Sequence, residues 1–461
     1  MKKYLVALLS LGLVMAFSMS AFAVSADFTG QYYAVGDYQS NTKLGADQNV
    51  AGNNSNAYMQ QRLRLFTRLK IAEGLTFTTR IDALETVWGR DQAPSTTNPA
   101  LVNVDGKAFR DYNTANISFE QAWLTAATAI GTFDVGYKTG TPFTWGTGFM
   151  NAPGTAPGIR WSKDFGSLKL LADWHKTSKG DIATTGKPSL TASDMDADYY
   201  DLGVSSKFKN GDAGLLMTYF RDATLRGSAT AGTLSTVVNF QPYAKMKLGN
   251  LDLEAEAYYI TGKVKLEQGA TTGQDQDVSA MGLYANAKFN MGPAFVGVIG
   301  AYASGQDKSK TDKITGKIQG DLGYGTDTNI WPVTTPLILF GYHYHGMGLS
   351  QYIPTSANDP KSKFDNAMLG MIYGGYAATN KLSFEAKYAY AKADQDGAAT
   401  GWQSKNYGTE FDVKATYKIY DALTYNVGAA YLWTGDYFKG TVATAKVDNN
   451  YLITHWLDLT F

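Results

Sequence analysis

Arg62, Arg64, Arg68 and Lys70 fall on alternate residues of the run Gln61 to Ile71, with Leu63, Leu65, Leu69 and Ile71 between them. A period of two puts each set on its own face of a β-strand, whereas a helix would mix them. Asp252, Glu254 and Glu256 repeat the arrangement with the opposite charge, interleaved with Leu251, Leu253, Ala255 and Ala257. Ladders of one sign break no bonds; they hold water and ions, and they orient polar solutes that pass. Arg80, Asp82 and Glu120 extend the charged face along neighbouring strands. Burying an ion without water or a partner costs several kcal/mol, so this face predicts a wet interior.

Residues suited to catalysis are scarce. The chain has four His and no Cys, which removes thiol nucleophiles, Cys-ligated zinc and haem attachment through CxxCH. His343 and His345 share a strand face and have the spacing of a metal pair, but no Cys or carboxylate cluster beside them completes a site. His175 is expected inward and His455 on the apolar face. No Ser–His or Asp–His pairing, phosphate loop or dinucleotide fingerprint is discernible. The sequence therefore predicts no catalytic residue, no metal site and no cofactor.

Alternation recurs along the chain and predicts about eighteen strands of roughly ten to fourteen residues. They run from 27–37 to 450–461; the second lies at 59–71, the third at 75–87, the fifth at 132–140 and the eleventh at 251–263. The sixth, at 158–163, is the shortest. Connections alternate in length. Short ones such as Ala72-Glu73-Gly74, Asn210-Gly211-Asp212 and Gly249-Asn250 use residues that tolerate tight hairpin turns. Long ones include 88–113, 141–157 and 305–364. The fold class that fits is all-β: a transmembrane antiparallel up-and-down β-barrel, with sixteen strands as the alternative count, short periplasmic turns and long extracellular loops. An even count puts both termini in the periplasm.

The N-terminus sets the compartment. Met1-Lys2-Lys3, an apolar run from Tyr4 to Met19 and the small-x-small site Ala21-Phe22-Ala23 read as a signal peptide over 1–23. Val24-Ser25-Ala26 is a second candidate cleavage site. Residues 24–461 then form one barrel domain. Beyond the export segment no run of about eighteen apolar residues is left to span a bilayer as a helix, so a membrane form must be a closed barrel. The formal charge is zero, and losing Lys2 and Lys3 leaves 39 basic against 41 acidic residues. That balance gives no reason to expect nucleic acid.

Two loops are candidates for narrowing the lumen. The first follows the fifth strand and carries Phe143, Trp145 and Phe149 among Gly and Pro; the second, 305–364, holds an apolar stretch from Trp331 to Tyr342. An apolar stretch is odd in a solvated loop; it folds into the lumen, packs on the rim, meets another subunit or forms an extra hairpin. The second and eleventh strands stand half a circumference apart in an eighteen-strand barrel, so a basic wall is expected to face an acidic one. The alternative is that these charges solvate the lumen or pair with neighbours.

The export segment, the first strand from Asp27-Phe28-Thr29-Gly30-Gln31-Tyr32-Tyr33, the Arg62–Lys70 ladder and a terminal strand ending on Phe461 together resemble a large outer-membrane porin of Gram-negative bacteria. In length and in Tyr and Gly content the chain is similar to the abundant porins of metal-reducing deltaproteobacteria. The resemblance implies passive diffusion of small hydrophilic solutes and ions. Phe461 would be the signal read by the barrel-assembly machinery, lipid and lipopolysaccharide would surround the barrel, and a homotrimer would be the assembly. The strand number and the long late loop depart from the sixteen-strand pattern and resemble the eighteen-strand, substrate-preferring channels, which puts the trimer in doubt. A barrel sheathing cytochromes in an electron conduit and an outer-membrane hydrolase are the rival readings.

Overall fold

The computed structural model describes residues 24–40, 55–88, 117–149, 155–179, 194–226, 232–266, 273–316, 336–340, 364–396 and 401–461. The export segment 1–23, His343 and His345 lie outside them, as do 331–335 and 341–342 of the apolar stretch. The first half of the chain contributes β1 (Ser25–Gln39), β2 (Asn56–Ala72), β3 (Leu75–Val87), β4 (Ile117–Thr128), β5 (Gly131–Thr139), β6 (Thr155–Phe165), β7 (Leu168–Lys179), β8 (Asp196–Phe208) and β9 (Gly211–Asp222). The second half contributes β10 (Thr233–Leu248), β11 (Leu251–Leu266), β12 (Gln276–Met291), β13 (Ala294–Ala303), β14 (Lys313–Ile314), β15 (Ala367–Ala377), β16 (Leu382–Lys392), β17 (Asn406–Tyr420), β18 (Leu423–Thr434) and β19 (Asn450–Thr460).

Eighteen of these strands close into an antiparallel barrel, each paired with its neighbours in the chain and β19 paired back onto β1. Only the two-residue β14 stands aside: it runs parallel to the start of β12, Lys313 opposite Asp277. That strand lies in the late loop and is shorter than any alternation pattern reveals. The sixth strand is also longer than its pattern suggests. Pro157 and Gly158 interrupt the alternation of β6, yet they pair with Tyr137 and Gly136 of β5.

The turns explain the hairpins. Gly74, Gly166, Gly249 and Gly292 adopt φ between 60° and 73°, the left-handed region that tight connections need and that Cβ disfavours. These turns share one rim with the start of β1 and the end of β19, because Ser25 pairs with Lys70 and Gln31 with Thr460.

Alternation then sorts the side chains. On β18, Tyr425, Val427 and Trp433 are 39%, 43% and 48% exposed, whereas Leu432 between them is fully buried. The outward surface is apolar on every side of the barrel. Exposed aromatics mark its short-turn rim at Phe165, Phe208 and Tyr376, and its long-loop rim at Tyr200, Tyr219 and Trp433. An apolar band bounded by aromatic girdles is the surface a barrel presents to lipid.

At the closing seam Gly30 faces the terminal residue. The Gly30 N–H donates to the Phe461 carbonyl at 2.7 Å, and the Phe461 N–H returns to the Gly30 carbonyl at 3.0 Å. A Cβ on Gly30 would lie 2.7 Å from the Phe461 ring and 2.6 Å from the Arg64 carbonyl oxygen. Gly30→Val is therefore expected to displace the terminal ring and destabilise the seam by about 1–3 kcal/mol. A lower yield of heat-modifiable, folded barrel on gels checks this; a wild-type yield contradicts it.

Candidate functional site: the inner wall and two inward loops

The register carries the basic ladder inward. Arg64 lies opposite Gln31 of β1 and Asp82 of β3, and Arg62 opposite Tyr33. Arg64 grips Asp82 with both prongs, Nε to Oδ1 at 2.8 Å and Nη2 to Oδ2 at 2.7 Å, the fork geometry that only guanidinium supplies. Arg80 shares the same carboxylate at 3.4 Å and reaches Glu120 at 3.7 Å. Arg62 sits 4.9 Å over the Tyr33 ring and 3.8 Å from Glu85. Arg68 and Lys70 continue the ladder to the exposed short-turn rim, where Lys70 meets Asp27 at 3.0 Å. Further round, Lys138 pairs with Asp134 at 2.5 Å and Arg160 with Asp173 at 3.0 Å. The wall from β1 to β7 is thus a network of paired charges, as the pairing alternative anticipates, and its outward field is weaker than the ladder alone suggests.

The opposite wall carries a loop. After β5 the chain forms a short helix α1 (Thr141–Thr144), which includes Phe143, and then runs inside the barrel along the later strands. The indole of Trp145 lies over Gly203 of β8, its Nε1 donating to the Gln241 carbonyl of β10 at 3.0 Å and its ring meeting Tyr243 edge-on. Glu256 of β11 then takes the Thr147 N–H at 2.6 Å and the Thr147 hydroxyl at 2.7 Å on one oxygen; Gln241 Nε2 occupies the other at 2.8 Å. Phe149 packs on Tyr258 and Tyr284 of β11 and β12. A Cβ on Gly146, at φ +58°, would meet Glu256 at 2.5 Å, so glycine is what lets the backbone reach the carboxylate.

A second segment enters from the late loop. The N–H groups of Ile338 and Leu339 donate to the two Glu410 oxygens at 2.7 and 2.6 Å, and that of Leu337 to Asp412 at 3.0 Å. Consecutive N–H groups converging on carboxylates form an anion-binding nest, here used to pin the chain to β17. Ile338, Leu339 and Phe340 are buried. Of the four placements open to this stretch, its described part folds into the lumen. Phe340 meets Phe364 at 4.9 Å, and Phe364 meets Phe149 at 6.1 Å, so the two inward segments join through aromatic rings.

Together these segments cover the inner faces of β8–β12 and β17–β18; among the described residues they meet the charged wall of β1–β7 at Asp173, which takes the Thr141 hydroxyl at the root of the first segment. The acidic ladder does lie nine strands from the basic one, but its rungs are engaged. Glu256 is 3% exposed beneath the loop, so its expected pore-lining place is corrected to a loop anchor. Glu254 accepts from Tyr284 and Asn286 at 2.9 and 3.1 Å. Asp252, at the short-turn mouth, accepts from Asn290 at 2.8 Å and lines a recess with Lys209, Lys245, Lys247 and Lys288. Trp145 and Phe149 are likewise buried anchors. Their Gly- and Pro-rich setting marked the loop, but nothing in the pattern marked Glu256 as its receptor, or Glu410 and Asp412 as receptors of the second segment.

His175 faces inward and is buried, stacked on Tyr199 at 4.9 Å; His455 is on the outer face beside Tyr425. Among the described residues neither ring nitrogen of His175 has a hydrogen-bond partner.

Neither family models nor curated proteins give a match to this chain. Solved structures do. The OccK9 (OpdG) protein of Pseudomonas aeruginosa superposes with a TM-score of 0.52 at 12% identity, over 95% of this chain and 99% of that one. A BenF-like porin from Pseudomonas fluorescens Pf-5 gives 0.51 at 12% identity over 95% and 99%. At that identity the likeness concerns the closed eighteen-strand fold.

Proposed function

We propose that the chain is an outer-membrane porin: a passive, water-filled channel for small hydrophilic solutes and ions, displaced from the barrel axis toward the wall of β1–β7. The observation that carries this reading is the asymmetry of the lumen. Apolar loop segments line one side, while partly exposed charged pairs of β2–β4 line the other with no loop over them among the described residues. Charges held that way need water beside them, and a wet, charge-lined strip through a lipid-facing barrel conducts. Lipid and lipopolysaccharide would contact the apolar band, and the barrel-assembly machinery would read the strand ending at Phe461. The proteins sharing the fold support the reading, one of them being described as a porin.

The same asymmetry disfavours a sheath around a cytochrome, because the chain's own Trp145, Phe149, Ile338 and Leu339 occupy space inside the barrel. Liposome swelling tests the proposal. Proteoliposomes are expected to swell fast in a pentose, more slowly in a hexose and scarcely in a trisaccharide. Equal, background rates for all three, with folded protein inserted, would contradict it.

A further inference from the structure

Asp173 on β7 and Asp201 on β8 lie directly opposite each other across the ladder, and both are buried, at 7% and 1% exposure. Like charges at such a pair repel. Arg160 bonds one of them directly: its Nε donates to Asp173 Oδ2 at 3.0 Å, and the Thr141 hydroxyl donates to the same oxygen at 2.5 Å. Asp201 receives the Thr218 hydroxyl on Oδ1 at 2.6 Å, while its Oδ2 has no hydrogen-bond partner among the described residues. His175, 2% exposed, has no hydrogen-bond partner on either ring nitrogen among the described residues. Its Nδ1 lies 3.7 Å from Asp201 Oδ2 and 3.9 Å from Asp173 Oδ2. One donor atom from each of the three residues falls within 4.8 Å of the others.

We infer that Asp173, His175 and Asp201 form a binding site for a first-row divalent cation in the barrel wall. Two ligands of one tetrahedral Zn2+ stand roughly 3.4 Å apart when each bond is near 2.1 Å, so the imidazole-to-carboxylate distances need to shorten by only a few tenths. One imidazole with two carboxylates is a mixed N,O donor set that suits Zn2+ and its neighbours better than Mg2+ or Ca2+. The outer partners are already in place. Thr218 fixes Asp201 so that its second oxygen turns toward His175, and Arg160 and Thr141 fix Asp173, the role such residues play around bound metals. The cation would remove the carboxylate repulsion and give the orphaned His175 nitrogen and Asp201 oxygen their partner. Because Thr141 opens the inward loop, the site would also tie the root of that loop to β7 and β8.

The test uses the full mature chain folded in detergent, stripped with a chelator and dialysed against Zn2+, with bound metal counted by emission spectrometry. One Zn2+ per folded chain is expected, unaffected by equal Mg2+ or Ca2+. His175→Gln and Asp201→Asn should each lose it, and Thr218→Val should weaken it about tenfold. No bound Zn2+ on folded wild-type protein would overturn the inference, leaving a carboxyl pair that shares a proton. Undiminished Zn2+ in both ligand variants, or displacement by Mg2+, would overturn it too. If a variant fails to fold, Co2+ added to the wild-type decides: visible d–d bands of a low-coordinate site with an imidazole nitrogen are expected, and an aquo-ion spectrum rejects the site.

Discussion

Glu256→Ala is expected to raise single-channel conductance about twofold or more and to make it noisy, without unfolding the barrel. The carboxylate holds the Thr147 N–H, the Thr147 hydroxyl and the Gln241 amide at 2.6, 2.7 and 2.8 Å. Hydrogen bonds to a charged group are worth about 1.5–3 kcal/mol each. They are not additive, but a loss of about 3 kcal/mol already shifts the docked population of the loop roughly a hundredfold. The segment would then be held by the packing of Trp145 and Phe149 and by the single bonds of Trp145 to Gln241 and of Thr141 to Asp173, and the lumen of an eighteen-strand barrel is wide when nothing crosses it. Glu256→Gln keeps an acceptor of the same shape and should fall between. Wild-type conductance and noise in Glu256→Ala would show that the loop does not narrow the passage.

Asp82→Ala is expected to move ion selectivity toward anions, and Arg64→Ala toward cations. Asp82 is the shared partner of Arg64 and Arg80, and removing it leaves two guanidinium groups facing the lumen. A unit charge about 4 Å from a passing ion in water is worth about 1 kcal/mol, or roughly a fivefold change in the potassium-to-chloride permeability ratio. The shift should shrink in high salt as screening shortens. Asp82 itself is 5% exposed, so its loss should also cost about 1–3 kcal/mol of stability through unmade hydrogen bonds. Reversal potentials in a potassium chloride gradient measure the first effect and urea midpoints the second. Shifts of the same sign in both variants would contradict the assignment of these residues to the passage.

The fold was legible because two of its determinants are periodic. A period of two in Gln61–Ile71 and Leu251–Tyr259, with Gly, Asn or Asp in the short connections that alternate with long ones, leaves little besides a barrel. The site was half legible. Charged rungs show in the pattern because they alternate with Leu and Ala. The use of each rung does not, because it depends on partners far away in sequence: Glu256 meets Thr147 and Glu410 meets Ile338 only after the barrel closes. Asp201 illustrates the limit. It looks like one more inward carboxylate on β8, and only the register shows it facing Asp173 beside His175.

Single-channel recording of the purified, folded protein in a planar bilayer tests the central claim most directly. A water-filled passage along the β1–β7 wall predicts stable, large, ohmic steps whose selectivity changes when Arg64 is replaced. A silent membrane, with folded protein shown to be inserted, would contradict it and mean that the two inward segments seal the barrel.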